Sequence, residues 1–454
     1  MKRPYQLVIS YFTKGQPRTV KAKKNIFYSF ILKGIDIFTG ILIVPLALSY
    51  LDATRYGIWL TLSSIIMWFG FFDVGLGHGL RNKLAEAFSE KNDEMATKYI
   101  STAYSSLGLI SLVLFLLFFI VNNFLNWQVI LNTTEIPVNE LNSLVLITFG
   151  FFFIRLVIQL INNILFADQR PAYKDLITTS GKLLNLVVLY ILIKTTKDSL
   201  LYLGVSYSAA PVIMLFVFTL ILFKKQYRKY KPSFRLFDFR LLKDVVNLGG
   251  KFFIIQISSV VLYTTDNMII TQLFSPAEVT PYQIAHRYFG LVLMGFLIIV
   301  TPFWSAITEA YIKKDIQWIT RSIKKLLQLW LLAVVLIVIM LLLSKYVYYL
   351  WVGDKVIIPF ILSAAWALFI ALQSLNTLLT HFINGIGKIK LQMILALTGA
   401  VLNIPLSIFL AKYMGFGITG VIAATIIAQI LSLSFCYVQY RKIINFRDYG
   451  IWAK

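Results

Sequence analysis

Long apolar runs alternate with short polar connections along almost the whole chain. A helix needs about 20 apolar residues to cross the hydrocarbon core of a membrane, and twelve runs come close to or exceed that length. The pattern therefore predicts an all-α integral membrane protein with twelve spans. The predicted spans are 26–48, 56–76, 99–121, 141–166, 176–193, 200–223, 252–274, 282–306, 326–344, 359–382, 391–411 and 418–440.

A pattern in residues 55–98 recurs about 223 residues later, in 279–321. Each copy has an apolar span followed by an amphipathic, basic stretch, and further matches lie at an offset of 218. The matching pairs are Tyr56 and Tyr282, Glu86 and Glu309, Arg170 and Lys388, Gly181 and Gly399, and Asn185 and Asn403. The repeat predicts two equivalent lobes that superpose.

The repeat and the charge pattern together predict five segments. They are a basic N-terminal segment (1–25), an N-lobe with spans one to six (26–223), a linker (224–251), a C-lobe with spans seven to twelve (252–440) and a tail (441–454). Phenylalanines alternate with charges in the linker. This pattern fits either an interfacial segment along the lipid headgroups or an ordinary solvated basic loop.

Composition supports a membrane location. Of the 454 residues, 58% are hydrophobic and only 14% are charged, and the mean hydropathy is +0.76. A soluble core of this size has no room for so much apolar surface. Residues 1–25 lack the continuous apolar stretch of a cleavable signal, so we expect the first span to be retained.

The net charge of +23 indicates anionic lipids rather than nucleic acid as the partner, because the basic residues fall between apolar spans and not on one soluble face. Of the 43 Lys and Arg residues, 33 lie in connections on the N-terminal side of the membrane and 6 on the opposite side. The positive-inside rule therefore places both termini in the cytosol.

Seven charged side chains fall inside predicted spans, where each costs roughly 3 kcal/mol or more. They are Lys33, Asp36, Asp73, Arg155, Lys182, Asp266 and Arg287. Lys33 and Asp36 share a helix face, so they either line a cavity or form a self-neutralising pair. Arg287 either lines a cavity or snorkels to the outer surface. Arg155 has no acid within four residues on its helix, so it is the cation least readily explained as structural. Arg155 and Lys33 are the candidates for a contact with a diphosphate or an acidic sugar of the cargo.

Uncharged polar groups in the spans either bond between helices or line a wet cavity. Together with the charges they predict a hydrated, net cationic interior between two bundles, suited to an anionic, hydroxyl-rich passenger. The predicted lining is Lys33, Asp36, Arg155, Gln159, Asn163, Gln256, Arg287 and Asn376.

No catalytic signature is present in the sequence. HExxH, GxSxG and Walker motifs are absent, and the glycine-rich stretch at 75–79 follows an apolar span rather than a strand. A single cysteine, Cys436, excludes a disulfide framework and a thiolate metal cluster. We therefore predict a transporter rather than an enzyme, without a metal or cofactor.

Five short motifs in both halves carry a family resemblance. They are YGIW at 56–59, DVGLG at 73–77, DNMII at 266–270, YQIAHR at 282–287 and YMGFGITGVIAAT at 413–425. In this order they resemble the Wzx-type lipid-linked oligosaccharide (O-antigen) flippases, in the MOP superfamily that also contains MATE multidrug extruders and the lipid II flippase. The resemblance implies two six-helix bundles across a V-shaped cavity and ion-coupled alternating access in the bacterial cytoplasmic membrane.

The resemblance also implies an undecaprenyl-diphosphate-linked oligosaccharide as cargo, with a polysaccharide polymerase and a chain-length regulator as further partners. Within transport, the alternatives are a lipid II flippase and a drug or cation exporter, and the exporter would favour a more acidic cavity. A membrane glycosyltransferase or polymerase would need a large outward loop with catalytic groups, and a scaffold would not need buried charge.

Ion coupling requires a group that binds H⁺ or Na⁺ differently in two states. The candidates are the three carboxylates inside spans, Asp36, Asp73 and Asp266. Asp266 has no basic neighbour within four residues of its helix, and the oxygens of the nearby Tyr263, Thr264 and Asn267 suit sodium. An ion pair between Asp266 and Arg287 is the structural alternative.

Overall fold

The computed structural model describes residues 17–70, 76–243, 264–445 and 449–453, which form helices and connecting loops without a β-strand. The first half contains α1 (Pro17–Tyr50), α2 (Ala53–Trp68), α3 (Leu76–Ser89), α4 (Asp93–Asn122), α5 (Trp127–Ile130), α6 (Val138–Ile158), α7 (Leu160–Ala167), α8 (Pro171–Thr195) and α9 (Leu200–Lys224). The second half contains α10 (Asp266–Leu273), α11 (Pro276–Ile312), α12 (Ile316–Val352), α13 (Phe360–Ile386), α14 (Lys390–Ile408) and α15 (Gly417–Ile444). The all-α prediction is confirmed.

Ten helical segments in the described residues are long and apolar enough to cross a membrane. They correspond to ten of the twelve predicted spans. The other two, 56–76 and 252–274, overlap residues 71–75 and 244–263, which lie outside the described residues. The protein is a multi-pass membrane protein, while the count of twelve spans and the cytosolic termini stay predictions.

The helices form two compact units. Unit 1 comprises Met1–Leu51, Phe69–Gln128 and Thr134–Ile254, and unit 2 comprises Asp52–Trp68, Val129–Thr133 and Ile255–Lys454. Within unit 1 the packing runs from α8 to α9, then α6, α4 and α3, and α1 lies on α8. Within unit 2 it runs from α14 to α15, then α13, α12 and α11, and α10 lies on α14. Spans three to six therefore pack in the same order as spans nine to twelve.

Helix α2 packs inside unit 2, although the sequence places it in the first repeat. It lies on α10 and α11. A Cβ atom at Gly57 would be only 1.8 Å from the carbonyl oxygen of Pro276, so glycine is what allows the two backbones to approach. The hydroxyl of Thr280 then donates to the carbonyl of Ala53 at 2.7 Å. The units therefore differ from the predicted lobes at Asp52–Trp68 and at Val129–Thr133, which both belong to unit 2.

The turns after α3 and α11 have the same backbone structure. Lys91 and Lys314, 223 residues apart, have φ angles of 56° and 58°. The next residues, Asn92 and Asp315, each donate their amide to the carbonyl five residues earlier, at 2.9 Å in both turns. Each side chain then caps the following helix by accepting an amide three residues on. This match supports the predicted duplication.

A second pair of turns matches at the offset of 218. Gln169 and Gly387 adopt positive φ angles of 56° and 78°. The amides of Arg170 and Lys388 then close on carbonyls five residues earlier, at 2.8 and 3.3 Å. These turns support the duplication independently of the first pair, whereas superposition of the whole lobes stays a prediction.

The packing of the fifth and sixth spans on each other also recurs. In unit 1, Ser206 on α9 donates to Asn185 on α8 at 2.7 Å. In unit 2, Asn403 on α14 donates to Thr425 on α15 at 3.0 Å. Each asparagine is buried, and the bond to the neighbouring helix satisfies one of its polar side-chain atoms.

Candidate functional site

Asp36 on α1 forms an ion pair with Lys182 on α8, with 2.8 Å between Oδ2 and Nζ. The other carboxylate oxygen, Oδ1, is buried and has no partner among the described residues. Lys33 is exposed, and no ion pair to Asp36 is found within the described part of the chain. The ion pair between Lys33 and Asp36 that their spacing allows is therefore not formed. Asp36 pairs instead with Lys182, because α8 packs on α1.

Arg155 lies on α6, four residues before a break in the fourth span. Helix α6 ends at Ile158, the amide of Gln159 bonds to the carbonyl of Arg155 at 2.9 Å, and α7 starts at Leu160. Across the described residues, the Arg155 guanidinium has neither a hydrogen bond nor an ion pair and is exposed.

Helix geometry places Arg155 and Lys182 at a similar depth. Arg155 precedes Asp168 in the α7–α8 turn by 13 residues, and Lys182 follows Arg170 in the same turn by 12. At 1.5 Å per residue, both lie about 18 Å from that turn. Arg155 and the Asp36–Lys182 pair thus belong to one layer of unit 1.

Side chains near the break in the fourth span have unused hydrogen-bonding capacity. The side-chain oxygen of Asn162 is buried without a partner among the described residues. Gln159 and Asn163 are half-buried. In the described spans of unit 1, the cations Lys33, Arg155 and Lys182 face one carboxylate, Asp36. The described part of this region is therefore polar and net cationic.

Unit 2 has a carboxylate at the centre of its polar network. Asp266 starts α10 and is only 5% exposed. Its Oδ2 atom accepts a hydrogen bond of 2.5 Å from the Tyr282 hydroxyl of α11, and its Oδ1 atom is buried without a partner among the described residues. The partner of Asp266 is therefore a phenol, and no pair with Arg287 is found in the described residues.

Asn267 continues this network. Its carbonyl oxygen accepts from Gln283 at 2.7 Å, and its amide nitrogen donates to Ser64 on α2 at 2.6 Å. One turn further along α10, the hydroxyls of Thr271 and Thr61 are 2.7 Å apart. Asp266 thus sits where three helices are joined by polar contacts.

An aromatic cluster adjoins this network through Tyr282. His286 stacks on Trp366 with ring centroids 4.5 Å apart, and Tyr282 meets the same indole edge-on at 5.0 Å. The indole nitrogen of Trp366 is buried without a partner among the described residues.

Two predicted lining residues also belong to unit 2. Arg287 is half-buried and follows His286 in the chain. Asn376 is buried, and its side-chain carbonyl oxygen has no partner among the described residues.

The structure brings together some predicted site residues and not others. Asp36 and Lys182 meet in unit 1, and Asp266 and Asn267 share a network in unit 2, whereas Asp73 and Gln256 lie outside the described residues. Sequence reasoning missed Tyr282 as the partner of Asp266. The available signal was the position of Tyr282 in a predicted apolar span, since a phenol inside such a span usually finds a polar partner.

The comparisons with known proteins begin with two family profiles. The profile described as "Polysaccharide biosynthesis protein" matches residues 22–308, and the MatE profile matches residues 252–409. The first match covers more than half of the chain and includes both Asp36 and Asp266.

Two relatives carry the name "Putative O-antigen transporter". The protein from Salmonella typhi is 22% identical over 63% of this chain, and the match spans 64% of that relative's length. The protein from Salmonella typhimurium is 23% identical over 87% of this chain and 94% of its own length.

Among solved structures, the chain is similar to a multidrug resistance MATE family transporter of the MOP superfamily in its inward-facing conformation. The TM-score is 0.76 at 16% identity, over 91% of this chain and 94% of that structure. This likeness shows a MATE-like fold. It leaves the cargo to be argued from the residues.

Proposed function

The chain belongs to the polysaccharide biosynthesis protein family, and we propose that it is a flippase for an undecaprenyl-diphosphate-linked oligosaccharide. The cargo is a repeat unit of O-antigen, capsule or exopolysaccharide. It moves from the cytosolic to the periplasmic leaflet of the bacterial cytoplasmic membrane by alternating access. The protein acts as a transporter and not as an enzyme.

The observation that carries this proposal is the excess of cations in unit 1. Lys33 and Arg155 have no partner among the described residues, and one of the two Asp36 oxygens is already engaged by Lys182. A cation kept in a membrane span without a counter-ion is costly. A diphosphate compensates such a cost, because a guanidinium binds its oxygens through two parallel, charge-assisted hydrogen bonds.

The same excess argues against the cation exporter. An organic cation is repelled by Lys33, Arg155 and Lys182, and Asp36 is already paired. The lipid II flippase alternative shares the diphosphate, so it predicts the same contact with Arg155 and differs only in the glycan.

We further propose that Asp266 couples transport to an H⁺ or Na⁺ gradient. Its free oxygen is surrounded by protein, and Tyr282 and Asn267 connect it to α11 and α2. Binding of a cation at this carboxylate changes the charge in the contact between these helices, which is how an ion shifts a conformational equilibrium. Asp36, with its lysine partner, is the less suitable site.

The direct test of cargo uses purified protein in vesicles. Fluorescent undecaprenyl-diphosphate oligosaccharide is placed in the outer leaflet, and its loss of accessibility to an added glycosidase is followed under an imposed gradient. Protein-free vesicles set the background. Parallel vesicles carry lipid II or contain a fluorescent organic cation.

We expect the oligosaccharide to move faster than in protein-free vesicles. Transport of the organic cation alone would overturn the proposal and favour the exporter, and transport of lipid II alone would favour the lipid II flippase. In cells, we expect the polymerase and the chain-length regulator to act on the glycan after it reaches the periplasmic leaflet.

A further inference from the structure

The linker after α9 has one side held firmly by unit 1. The hydroxyl of Tyr227 donates to Asp168 at 2.8 Å, next to the α7–α8 turn. Lys229 pairs with Asp93 at 2.6 Å, and the Tyr230 hydroxyl bonds to the same carboxylate. This hydrogen bond to Asp93 raises the pKa of Lys229, so the ammonium group stays charged at cytosolic pH.

Backbone contacts continue the attachment along α4. The amide of Ser233 donates to the hydroxyl of Ser101, and the amide of Asp238 donates to the hydroxyl of Thr102, both at 3.1 Å. The contacts from Tyr227 to Asp238 therefore fix which side chains point away from unit 1.

The side chains exposed between residues 234 and 240 are four large apolar groups and two arginines, Arg235 and Arg240. Phe234 is 83% exposed, Phe239 71%, Phe237 44% and Leu236 38%; we call these four residues the linker face. Soluble surfaces rarely hold so many large apolar groups in one short segment without a binding role. The contacts with α4 prevent the segment from simply turning inward.

Charge and position identify what covers the linker face. Residues 225–243 contain seven Lys and Arg residues and a single acid, Asp238. The segment follows Lys224, where the apolar helix α9 ends, so it starts at the edge of the membrane. Aromatic and basic side chains at the edge of the membrane are typical of a segment that binds an anionic lipid surface. The negative headgroups attract the lysines and arginines, and the phenylalanine rings insert at the acyl boundary.

We propose that the linker face inserts into the acyl boundary of an anionic lipid leaflet while Arg235 and Arg240 contact lipid phosphates. The linker then has two attachments, to unit 1 through Tyr227, Lys229 and Tyr230, and to the leaflet through the linker face. This resolves the two alternatives left by the sequence in favour of the interfacial segment.

The test uses the full-length protein in nanodiscs and a polarity-sensitive fluorophore on single introduced cysteines. Phe234→Cys and Phe239→Cys place the probe on the linker face, and Glu90→Cys places it on the exposed turn after α3. The native Cys436 is buried, so labelling of the unsubstituted protein measures the background. The discs contain phosphatidylcholine with or without phosphatidylglycerol, and the quenchers are spin-labelled lipid and aqueous iodide.

We expect blue-shifted emission at 234 and 239, quenched by spin-labelled lipid and protected from iodide, whereas the probe at 90 is quenched by iodide. Quenching by iodide at 234 and 239 equal to that at 90 would overturn the proposal. That result would mean a solvated loop or a face reserved for a soluble protein.

A second variant tests the lipid charge. Arg235→Gln combined with Arg240→Gln lowers lipid quenching at 239 in phosphatidylglycerol discs and leaves it unchanged in pure phosphatidylcholine. An unchanged thermal midpoint of this variant shows that the linker still folds on α4. No loss of quenching in phosphatidylglycerol discs would overturn the assignment of Arg235 and Arg240 to lipid phosphates.

Discussion

Units 1 and 2 share a backbone plan but differ in the chemistry of their interiors. Their turns match at two offsets, and spans three to six pack in the same order as spans nine to twelve. Among the described span residues of unit 1, the charges without a partner are positive, on Lys33 and Arg155. In unit 2 a buried carboxylate, Asp266, is bonded to a phenol.

The difference indicates that the two repeats kept the contacts that fold each unit, whereas the polar groups inside their membrane spans diverged. A charge inside a membrane span is expensive wherever it lies, so two different sets of charges indicate two different tasks. We assign the diphosphate of the cargo to the cations of unit 1 and the coupling ion to Asp266 in unit 2.

The largest expected effect comes from removing the guanidinium of Arg155. A charge-assisted contact contributes about 1.5–3 kcal/mol, so Arg155→Ala should slow export about 10- to 100-fold. Surface polysaccharide is measured in a strain whose only flippase is this protein, at equal protein levels. Arg155→Lys should restore part of the export, because it keeps the charge without the planar fork.

The neighbouring Ile154, also exposed on α6, provides the matched control, and Ile154→Ala should export normally. Export by Arg155→Ala at the level of the unsubstituted protein would remove Arg155 from the site.

The second prediction concerns the carboxylate of unit 2. Asp266→Asn mimics the protonated acid and still accepts a hydrogen bond from Tyr282. We expect this variant to bind cargo and to lose the gradient-dependent part of transport in vesicles. Tyr282→Phe keeps the carboxylate but leaves it less satisfied, so it should lower stability by about 1–3 kcal/mol and keep some gradient dependence. Gradient-driven transport by Asp266→Asn at the full rate would rule out Asp266 as the coupling site.

A third, smaller effect is expected from the Asp36–Lys182 pair. The pair is only partly buried, with side-chain exposures of 21% and 40%, so its coupling should fall between surface and buried pairs, at about 1–2 kcal/mol. Lys182→Ala, Asp36→Ala and the double variant form a cycle measured by unfolding of the purified protein. Additive effects of the two substitutions would show that the pair contributes nothing to stability.

The smallest effect sharpens the comparison of the turns. Gln169 and Gly387 occupy the same left-handed position in the two repeats. Gln169→Gly should stabilise unit 1, and Gly387→Gln should destabilise unit 2, each by about 1 kcal/mol, because only glycine adopts this conformation without strain. Thermal unfolding midpoints that shift in the same direction for both variants would contradict the equivalence of the turns.

Sequence reasoning predicted those features that each helix carries by itself. Apolar length predicted the spans, and the cost of intramembrane charge singled out Arg155 and Asp266. The hydrophobic periodicity of a sequence does not predict which neighbouring helix a side chain contacts. For that reason the partners Lys182 and Tyr282 were missed, and the packing of α2 in unit 2 through Gly57 was not predicted.

The most direct test of the account is the affinity of the purified protein for a polyprenyl-diphosphate oligosaccharide in nanodiscs, compared with those of Arg155→Ala and Asp266→Asn. If cargo charge is bound in unit 1 and the coupling ion in unit 2, Arg155→Ala weakens binding about 10- to 100-fold, and Asp266→Asn leaves it unchanged. Equal affinities for all three proteins, or a loss confined to Asp266→Asn, would contradict the account.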